Sequence, residues 1–523
     1  MKLYKIFALL MIGLSIVSCS DLEEEPVGLL SPEGLFNTTD DIQSVIYGAY
    51  THAINEEVWG RKLSVALMLR SDMVNLQSTQ TRRVEMDQHG ITDDNEMVYD
   101  PWDRIYTAIS AANNGIYAGE FVDVDDATKN PVIAQAYFIR AFYYFHLVRL
   151  FGDVPYISEV VTAENLDDIK TISSMPEAEV YQKIIADLEF AETWLPNTSA
   201  NRALPSKAAA KSYLALVYLT MAGTNDNTYF QLAYDKAKEV IDNKGTYGVD
   251  LDPDFQNLFN GTIGATDASI EPIFALDYNS VEADDNAYDQ IAPMTGIRGD
   301  QSLYNTDADD GDGGWSVAVP TMAVYQSFDV ADYRTRVSFQ TEAMIGGTIV
   351  DFTNFTVSTH EHAANQPYIA KYTRYPGVYA RGAKRATGHN YSMMRYAEVL
   401  LIAAEAGVEI GQTANALAYV NEVRTRARNG GNTTNGGYLA ETFAASSTPA
   451  NLTSITVDDV LEERRVELAF ECKRWYDIKR RQLGDVVFGA SGYEGEKTGW
   501  DSSVDYDTPI PQDEILANPN LTN

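Results

Sequence analysis

The chain has 523 residues, 45% of them hydrophobic and 11% aromatic, so it can bury a large core and is not intrinsically disordered. Its formal net charge of −36 at pH 7 repels nucleic acid and anionic lipid, which makes both of them poor partners. Its two cysteines, Cys19 and Cys472, are too few for a disulfide framework.

The first residues have the pattern of a bacterial lipoprotein signal peptide. Lys2 and Lys5 precede an apolar run over Ile6–Val17, which is too short to span a bilayer as a mature helix. The run is followed by a serine and then Cys19, and a small residue before a cysteine suits the lipoprotein peptidase. The sequence therefore predicts a signal peptide over residues 1–18 and acylation of Cys19, with fatty acid such as palmitate as the membrane anchor. An ordinary signal peptide with a chance cysteine is the alternative.

Helical spacing of apolar residues predicts one helix at Asp40–Tyr50 and another at Trp102–Tyr117. Trp102 belongs to the apolar repeat of the second helix, which favours a core position over a ligand platform. Between the two helices, residues 61–91 are mixed and polar, and this composition indicates a partly extended loop.

The most apolar stretch of the chain, Ile133–Phe151, contains no proline or glycine and predicts a helix of about five turns. Aromatic and aliphatic side chains cover most of its circumference, so other helices must surround it. Arg140, His146 and Arg149 within the run argue against a membrane span.

Further helices follow in pairs. Ser174, Pro176 and Glu177 form the pattern of a capping box ahead of a helix over Val180–Leu195. Two pairs separated by a glycine are Ser206–Ala222 with Tyr229–Asn243, and Met393–Ile410 with Thr413–Ala427. Their recurrence indicates tetratricopeptide-type stacking, although no fixed repeat period can be written. The sequence therefore predicts a mainly α fold built on a tetratricopeptide-like helical-hairpin scaffold.

Residues 246–390 differ from the scaffold in being rich in Asp, Asn, Gly, Thr and Tyr, with β-like runs at Pro272–Leu276 and Thr348–Val350. This composition predicts an irregular insert of loops and short strands, on the ligand-binding side of the molecule. An exposed ring offers a flat face to the C–H surface of a sugar. No core periodicity explains three aromatic residues of the insert, which are therefore candidate ligand contacts: Trp315, Tyr304 and Tyr288.

The last helical pattern runs over Thr456–Arg481. Acidic residues lie in its first turn and basic residues in its last turn, an order that suits the helix dipole. Cys472 falls on one apolar stripe with Leu461, Leu468 and Trp475, which predicts a buried and unreactive thiol.

Several ordered blocks of the chain resemble the SusD/RagB family of Bacteroidetes outer-membrane nutrient-binding lipoproteins. They include AxAxFxRAFYYFxLVRLFGDVPY from Ala134, RYAEVLLIxAEA from Arg395, AxxYVNxVRxRA from Ala416 and ERRxELAFExKRWYDIKR from Glu463. The family commonly has Gly at the position of Cys472, a departure that affects packing. The resemblance implies one SusD-like domain over residues 19–523, with a helical scaffold over about 40–245 and 391–483 around the insert.

The resemblance also implies a function. Members bind a glycan or another oligomeric nutrient at the outer face of the outer membrane and deliver it to a SusC-like TonB-dependent barrel. The family's glycan site uses the insert and the polar loop before the Trp102 helix, which adds the polar candidates Arg70, Asp72, Asn75 and Gln77. A mutual or scaffold ion pair is the alternative for Arg70 and Asp72. The acidic run over residues 20–25 resembles a surface-export tag, and a solvated tether is the alternative.

Motifs of catalysis are absent from the sequence. It has no GxSxG elbow, HExxH, phosphate-binding glycine loop or CxxC pair, so we expect no enzyme activity, no catalytic residue and no cofactor. His360-Glu361-His362 lies in a polar loop and is not expected to bind a metal. Residues 307–312 resemble part of a calcium loop, but Ala318 stands where its closing glutamate belongs, and an acidic solvated loop is favoured.

Two other functions stay open on the sequence alone. One is a surface-anchored glycan-degrading enzyme, because 75 Asp and Glu residues cannot be searched for a catalytic pair by spacing. The other is a structural partner of the barrel that binds no ligand. The ligand itself is also open, because peptides fit these residues as well as oligosaccharides or polysaccharides do.

Overall fold

A computed structural model of the chain describes residues 32–199, 201–262, 264–278, 289–298, 314–345, 347–355, 365–375, 379–380, 386–433, 441–493 and 495–522. Helices dominate this part of the chain, and its strands are short and pair two at a time. The expected mainly α architecture is therefore confirmed. None of the helices in the described ranges is long and apolar enough to cross a bilayer.

The N-terminal half supplies the long helices of the scaffold. In chain order they are α1 (Pro32–Leu35), α2 (Thr39–Ala53), α3 (Lys62–Leu69), α4 (Thr81–Gln88), α5 (Glu96–Ala118), α6 (Asp126–Phe151), α7 (Leu166–Ile169), α8 (Glu177–Trp194), α9 (Lys207–Ala222), α10 (Asn227–Asp242) and α11 (Lys244–Tyr247). The helices predicted here all exist, and most of their ends agree to within a few residues. The central helix is longer at its start, because Asp125 caps it by accepting a hydrogen bond from the Thr128 backbone N–H.

Two local predictions in this half are corrected. Within residues 61–91, Lys62–Leu69 form α3 and Thr81–Gln88 form α4, and the expected partly extended loop is confined to the stretch between them, which contains Asn75–Leu76 as a short strand. α3 is buried from Leu63 to Leu69, and such an all-round apolar helix carries no amphipathic period to detect. Ser174 does not cap α8; its N-cap residue is Pro176, and Asp153 accepts a hydrogen bond from the Glu177 backbone N–H at 2.7 Å.

α6 is the centre of the scaffold and is buried along most of its length, as its sequence predicts. Its charged side chains are paired rather than exposed. Arg140 donates to both carboxylate oxygens of Asp187 on α8 at 2.8 and 2.7 Å. The Arg149 guanidinium lies 3.7 Å from the Tyr476 ring, and Tyr476 also hydrogen-bonds His146 at 3.0 Å. These partners let a nearly all-apolar helix carry charge inside the core.

The helices pack as stacked hairpins. α9 packs against α10, with buried alanines such as Ala208, Ala215, Ala233 and Ala237 at the small-residue positions. α10 also packs against α16 (Tyr396–Glu409), which pairs with α17 (Thr413–Ala427), so the two predicted hairpins lie next to each other.

The insert contains short helices as well as loops and strands, which corrects the expectation that it lacks helix. The remaining helices in chain order are α12 (Ala265–Ala268), α13 (Ile291–Thr295), α14 (Met322–Gln326), α15 (Tyr333–Ser338), α16 and α17 as above, α18 (Val457–Glu467), α19 (Arg474–Arg480), α20 (Gly484–Val487) and α21 (Gln512–Ala517), with 3-10 turns at Phe255–Phe259 and Phe352–Asn354.

The strands form two-stranded antiparallel pairs. In chain order they are β1 (Asn75–Leu76), β2 (Pro272–Leu276), β3 (Ala318–Val319), β4 (Phe339–Gln340), β5 (Glu342–Ile345), β6 (Thr348–Asp351), β7 (Tyr368–Ile369), β8 (Tyr379–Ala380), β9 (Ala386–Thr387), β10 (Tyr391–Arg395), β11 (Gly431–Thr433) and β12 (Glu441–Phe443). β2 and β6 confirm the two β-like runs of the sequence. β10 pairs with β2 and replaces the first residues of the helix predicted over 393–410.

The C-terminal helical pattern is interrupted. The predicted helix over 456–481 is two helices, α18 and α19, with Phe470 and Cys472 between them in the left-handed region at φ 64° and 56°. That conformation favours glycine, which gives a physical reason for the residue common in the family at the Cys472 position. Cys472 is buried as predicted, and burial raises the pKa of its thiol to about 12.

A buried ion network fastens the insert to the scaffold. Glu467 of α18 accepts hydrogen bonds from Arg334 of the insert, from Arg395 and from Arg426. Burial opposes ionisation of Glu467, but Arg426, Arg395 and Arg334 together hold its pKa below the usual range. The network keeps the insert in one position relative to the helices.

Candidate ligand-binding site

Trp315 lies at the end of a tight loop that leads into β3. The ring is half-buried and packs against the main core, while its backbone N–H donates to the Pro293 carbonyl of α13 at 2.5 Å. Two residues later the Val317 N–H donates to the Met294 carbonyl at 2.8 Å. The backbone that carries the ring is therefore fixed to α13, and the ring keeps a partly accessible surface.

The residues on either side of Trp315 fix its backbone. A Cβ on Gly314 would overlap the carbonyl oxygen of Gly296, so the close approach of these two backbone segments requires glycine at position 314. Ser316 adopts φ 51°, and its hydroxyl donates to the Gly296 carbonyl at 3.3 Å and accepts from the Arg298 N–H at 3.2 Å. This loop is preorganised by close contacts rather than by regular structure.

The polar loop before α4 reaches the same place. β1 pairs with β3 in the register Asn75 opposite Val319, and the Gln77 N–H continues the ladder by donating to the Val317 carbonyl at 2.8 Å. The side chains of Asn75 and Gln77 are half-buried. The structure thus brings two of the predicted polar candidates to the strand that directly follows Trp315.

Arg70 and Asp72 are placed differently, and their assignment as ligand contacts is corrected. Both are buried, at 2% and 1% exposure. Asp72 accepts two hydrogen bonds of 2.8 Å from Arg474, while Arg70 donates to Thr508 and lies 3.8 Å over the Trp475 ring. Their partners come from the C-terminal segment, so they hold the loop to the scaffold, which is the ion-pair alternative left open for them.

Some predictions fall outside the described residues: Cys19 and the signal peptide, Tyr288, Tyr304, the acidic residues 307–312 and the His360-Glu361-His362 run. Within the described residues, no group of three or more His, Cys, Asp or Glu side chains is arranged to hold a metal ion.

A polar cleft that sequence reasoning missed lies beside this loop. It has a volume of about 480 Å³ and is lined by Gln80, Thr81, Arg82, Glu85, Thr92, Asp94, Asn95 and Glu96. The Asn95 amide donates to Glu85 at 2.7 Å and Thr92 donates to Asp94 at 2.6 Å, so the wall is held by its own hydrogen bonds. No motif marks these residues, because residues from two helices and the turn between them form the cleft.

Arg83 links α4, which lines the polar cleft, to α13, which binds the Trp315 loop. Its guanidinium lies 3.9 Å from the sulfur of Met294, on the helix whose carbonyls bind the Trp315 loop. Arg83 makes no ion pair with a carboxylate in the described part of the chain. Burial, and then the nearby Arg82 and Arg61, lower its pKa to about 10, which leaves it charged at neutral pH. Arg83 is therefore a charged donor beside α13, the helix that binds the Trp315 loop.

Comparison with known proteins finds one family repeatedly. Residues 354–523 match the SusD family, and residues 22–219 match a related family described as starch-binding associating with outer membrane. A SusD-like protein P2 from Formosa agariphila is 44% identical over 533 residues, which cover 100% of this chain and 99% of the relative.

Solved structures share the fold. A SusD homologue from Bacteroides thetaiotaomicron superposes with a TM-score of 0.77 at 20% identity, covering 94% of this chain and 97% of its own. The surface glycan-binding protein A from Bacteroides thetaiotaomicron, solved in complex with laminarihexaose, gives a TM-score of 0.71 at 21% identity, covering 92% and 98%.

Proposed function

The chain belongs to the SusD family, and we propose that it is a non-catalytic cell-surface lipoprotein that binds a glycan or another oligomeric nutrient. It delivers that ligand to a SusC-like TonB-dependent transporter in the outer membrane. The observation that carries the proposal is the pairing of β1 with β3, which joins Asn75 and Gln77 to the loop that holds Trp315. The laminarihexaose complex of a structural neighbour supports a sugar ligand.

The chemistry of this surface suits a sugar. A half-buried indole offers a rigid apolar face to the C–H groups of a pyranose ring, and side-chain amides of Asn75 and Gln77 pair with its hydroxyls. Arg83 supplies a charged donor on the adjoining helix. A partly exposed platform of this kind favours rapid exchange, which suits a protein that passes its ligand on.

The polar cleft extends the site for longer ligands. Gln80, at one edge of the cleft, follows Gln77 by three residues, a reach of at most about 11 Å, so we expect a longer oligomer stacked on Trp315 to extend toward the cleft. Tyr288 and Tyr304 remain part of the proposed site as further aromatic contacts from the insert. Arg70 and Asp72 act as supports of the loop and do not touch the ligand.

Attachment to the outer membrane is proposed to run through the acyl chains of Cys19 alone. The lipoprotein signal over residues 1–18 supports this, and so does the match to a family described as associating with the outer membrane. The residues after Cys19 then tether the folded chain, with its insert facing the cell exterior. Mass spectrometry of the mature protein tests this assignment: a first peptide carrying acyl groups on Cys19 is expected, and an unmodified one contradicts it.

Binding and cleavage are separated in one assay. The soluble chain lacking residues 1–20 is titrated with a panel of oligosaccharides, beginning with laminarihexaose, and with oligopeptides in calorimetry. Each mixture is then analysed for products. We expect saturable binding of at least one oligomer with no shortened product, whereas turnover by the purified chain shows an enzyme and contradicts the proposal.

The transporter is tested separately. We expect the tagged, lipid-anchored chain to copurify with one TonB-dependent barrel when it is extracted gently from its own outer membrane, and growth on the bound glycan to require both proteins. A chain that binds its glycan but is recovered without a barrel contradicts delivery and leaves glycan binding standing.

A further inference from the structure

A second cleft, called here the C-terminal cleft, lies on different elements from the Trp315 site. It has a volume of about 400 Å³ and is formed by α5, by the connection over residues 155–172 and by the C-terminal segment over residues 514–521. Trp102, Tyr106 and Ile109 of α5 supply its apolar floor. Trp102 is only 2% exposed, so this cleft has no open ring on which a sugar can stack.

The walls of the C-terminal cleft are tied together. The Tyr106 hydroxyl donates to the Pro155 carbonyl at 2.8 Å, which holds the 155–172 connection against α5. The Asn518 amide donates to the Ile172 carbonyl at 2.8 Å, which holds the C-terminal segment against the same connection. Three segments distant in sequence therefore form a preformed groove, as recognition sites commonly do.

Acidic side chains outnumber basic ones around this apolar floor. Asp103, Glu159 and Glu514 line the cleft together with one basic residue, Lys170, and none of the three carboxylates forms an ion pair within the described residues. Burial and then repulsion from Asp103 raise the pKa of Glu514, against a smaller lowering effect of the nearby Trp102 N–H. A cation placed between Asp103 and Glu514 would relieve that repulsion.

Apolar side chains continue from the cleft onto the surface. Val161, which lines the cleft, is 43% exposed, and Leu516 on α21 is 76% exposed. Exposed aliphatic side chains next to a preformed apolar cleft are typical of an interaction surface. The cleft volume admits one or two large side chains and is too small for a folded element.

We propose that the C-terminal cleft docks a partner protein through a short basic segment, which inserts a bulky apolar side chain against the half-buried Tyr106, Ile157 and Ile172. Lys or Arg side chains flanking that residue pair with Asp103, Glu159 and Glu514. The occupant is a peptide segment because the apolar floor, the acidic rim and the exposed aliphatic residues together match alternating basic and apolar side chains. This contact goes beyond ligand capture and uses none of the residues of the Trp315 site.

The probe is a synthetic, end-blocked peptide, Lys-Lys-Phe-Leu-Lys, carrying a fluorescent label; its partner is the full mature chain made soluble by Cys19→Ala. Fluorescence anisotropy is expected to show saturable binding that weakens as salt is raised, because the flanking pairs lie at the rim. The acidic peptide Glu-Glu-Phe-Leu-Glu is expected not to bind. Affinity for the basic peptide is expected to fall about threefold or more in the double variant Asp103→Asn, Glu514→Gln.

Two further variants separate the cleft from general charge. Asp123→Asn with Asp458→Asn removes the same two charges from exposed positions on other elements and is expected to leave the affinity unchanged. Thr107→Trp fills the exposed edge of the cleft without altering charge and is expected to abolish binding. Thermal unfolding of each variant verifies that it folds. The proposal is overturned if the basic peptide does not bind, if the acidic peptide binds equally well, or if the charge-matched control weakens binding as much as the cleft variant does.

Discussion

Trp315 has its orientation set by its neighbours rather than by regular secondary structure. Gly314 passes so close to Gly296 that no side chain fits, and Ser316 holds a left-handed backbone against the same carbonyl. The ring is therefore aimed before any ligand arrives, which lowers the ordering cost of binding. The same constraint makes the site sensitive to changes that do not touch the ring.

Gly314→Ala tests that constraint. The new methyl group must displace the Gly296 carbonyl, so we expect the free energy of unfolding to fall by about 1–3 kcal/mol and ligand affinity to fall with it. Gly245→Ala is the matched control, because Gly245 has no atom within 4 Å of the new methyl group and no positive φ. Equal stability and affinity in both variants, measured by urea unfolding and calorimetry, would show that the close approach does not hold the loop.

Cys472 offers a second test at the residue scale. Its φ of 56° suits glycine, while its thiol donates to the Ser64 carbonyl at 3.2 Å. Cys472→Gly is expected to change the free energy of unfolding by less than about 1 kcal/mol, because relief of the backbone offsets the lost packing. Cys472→Val is expected to cost about 3 kcal/mol, since a β-branched residue tolerates this conformation poorly. Similar urea midpoints for the two variants would contradict the left-handed assignment.

The buried carboxyl group of Asp289, just before α13, makes the stability of the fold depend on pH. The carboxylate accepts from the Ile291 N–H at the start of α13 and from the Thr387 hydroxyl at 2.6 Å, yet burial raises its pKa to about 7. The groups around it, Tyr278, Tyr372 and Cys472, are neutral at this pH.

The neutral form of Asp289 is thus favoured in the fold. The folded state binds more protons than the unfolded state between about pH 4 and pH 7. The contribution of Asp289 to the free energy of unfolding therefore falls as the pH rises through that window and is constant above it. Asp289→Asn is expected to remove this part of the slope, which spans up to about 4 kcal/mol. Urea unfolding of both proteins at pH 5 and pH 8 measures it; an unchanged slope in the variant would mean that Asp289 ionises as freely in the fold as outside it.

At the scale of elements, α18 is the joint between scaffold and insert. Glu467 faces three buried guanidinium groups, and removing its charge leaves them with less compensation in a dry environment. Glu467→Gln is expected to lower the free energy of unfolding by about 3–5 kcal/mol. Glu462→Gln on the same helix removes an exposed partner of Arg465 and is expected to cost at most about 1 kcal/mol. Equal losses of unfolding free energy in the Glu467→Gln and Glu462→Gln variants, measured by chemical unfolding, would show that the buried network does not fasten the insert.

The same elements show which parts of the fold can be predicted from the sequence. The helix around Phe142 is predictable because its long run contains no proline or glycine, and the hairpin pairs are predictable because their signal is local and runs over many residues. The break between α18 and α19 is not, because the apolar pattern continues through it and the bend is held by distant partners, such as Lys371 and Arg395 on Glu471. Arg70 and Asp72 failed as ligand candidates for the same reason: their partners lie about 400 residues further on.

At the scale of the whole molecule, a helical scaffold carries an irregular insert, and the proposed ligand site lies where the insert meets an N-terminal loop. Trp315 was detectable in the sequence as an aromatic residue without core periodicity, and the family resemblance pointed to Asn75 and Gln77. The polar cleft and the contact of Arg83 were not detectable, since the cleft forms only once α4 and the start of α5 come together and Arg83 meets Met294 only in the folded chain. Most of the chain is thus devoted to holding a small surface in place.

The most direct test of this account is calorimetric titration of the Trp315→Ala and Trp194→Ala variants with the oligomer that the parent chain binds. Trp194 is the matched control, a half-buried indole on α8, away from the site. Loss of one stacking ring is expected to lower affinity about tenfold or more in Trp315→Ala and to leave Trp194→Ala unchanged. Equal affinities in the two variants would contradict the assignment of the ligand site.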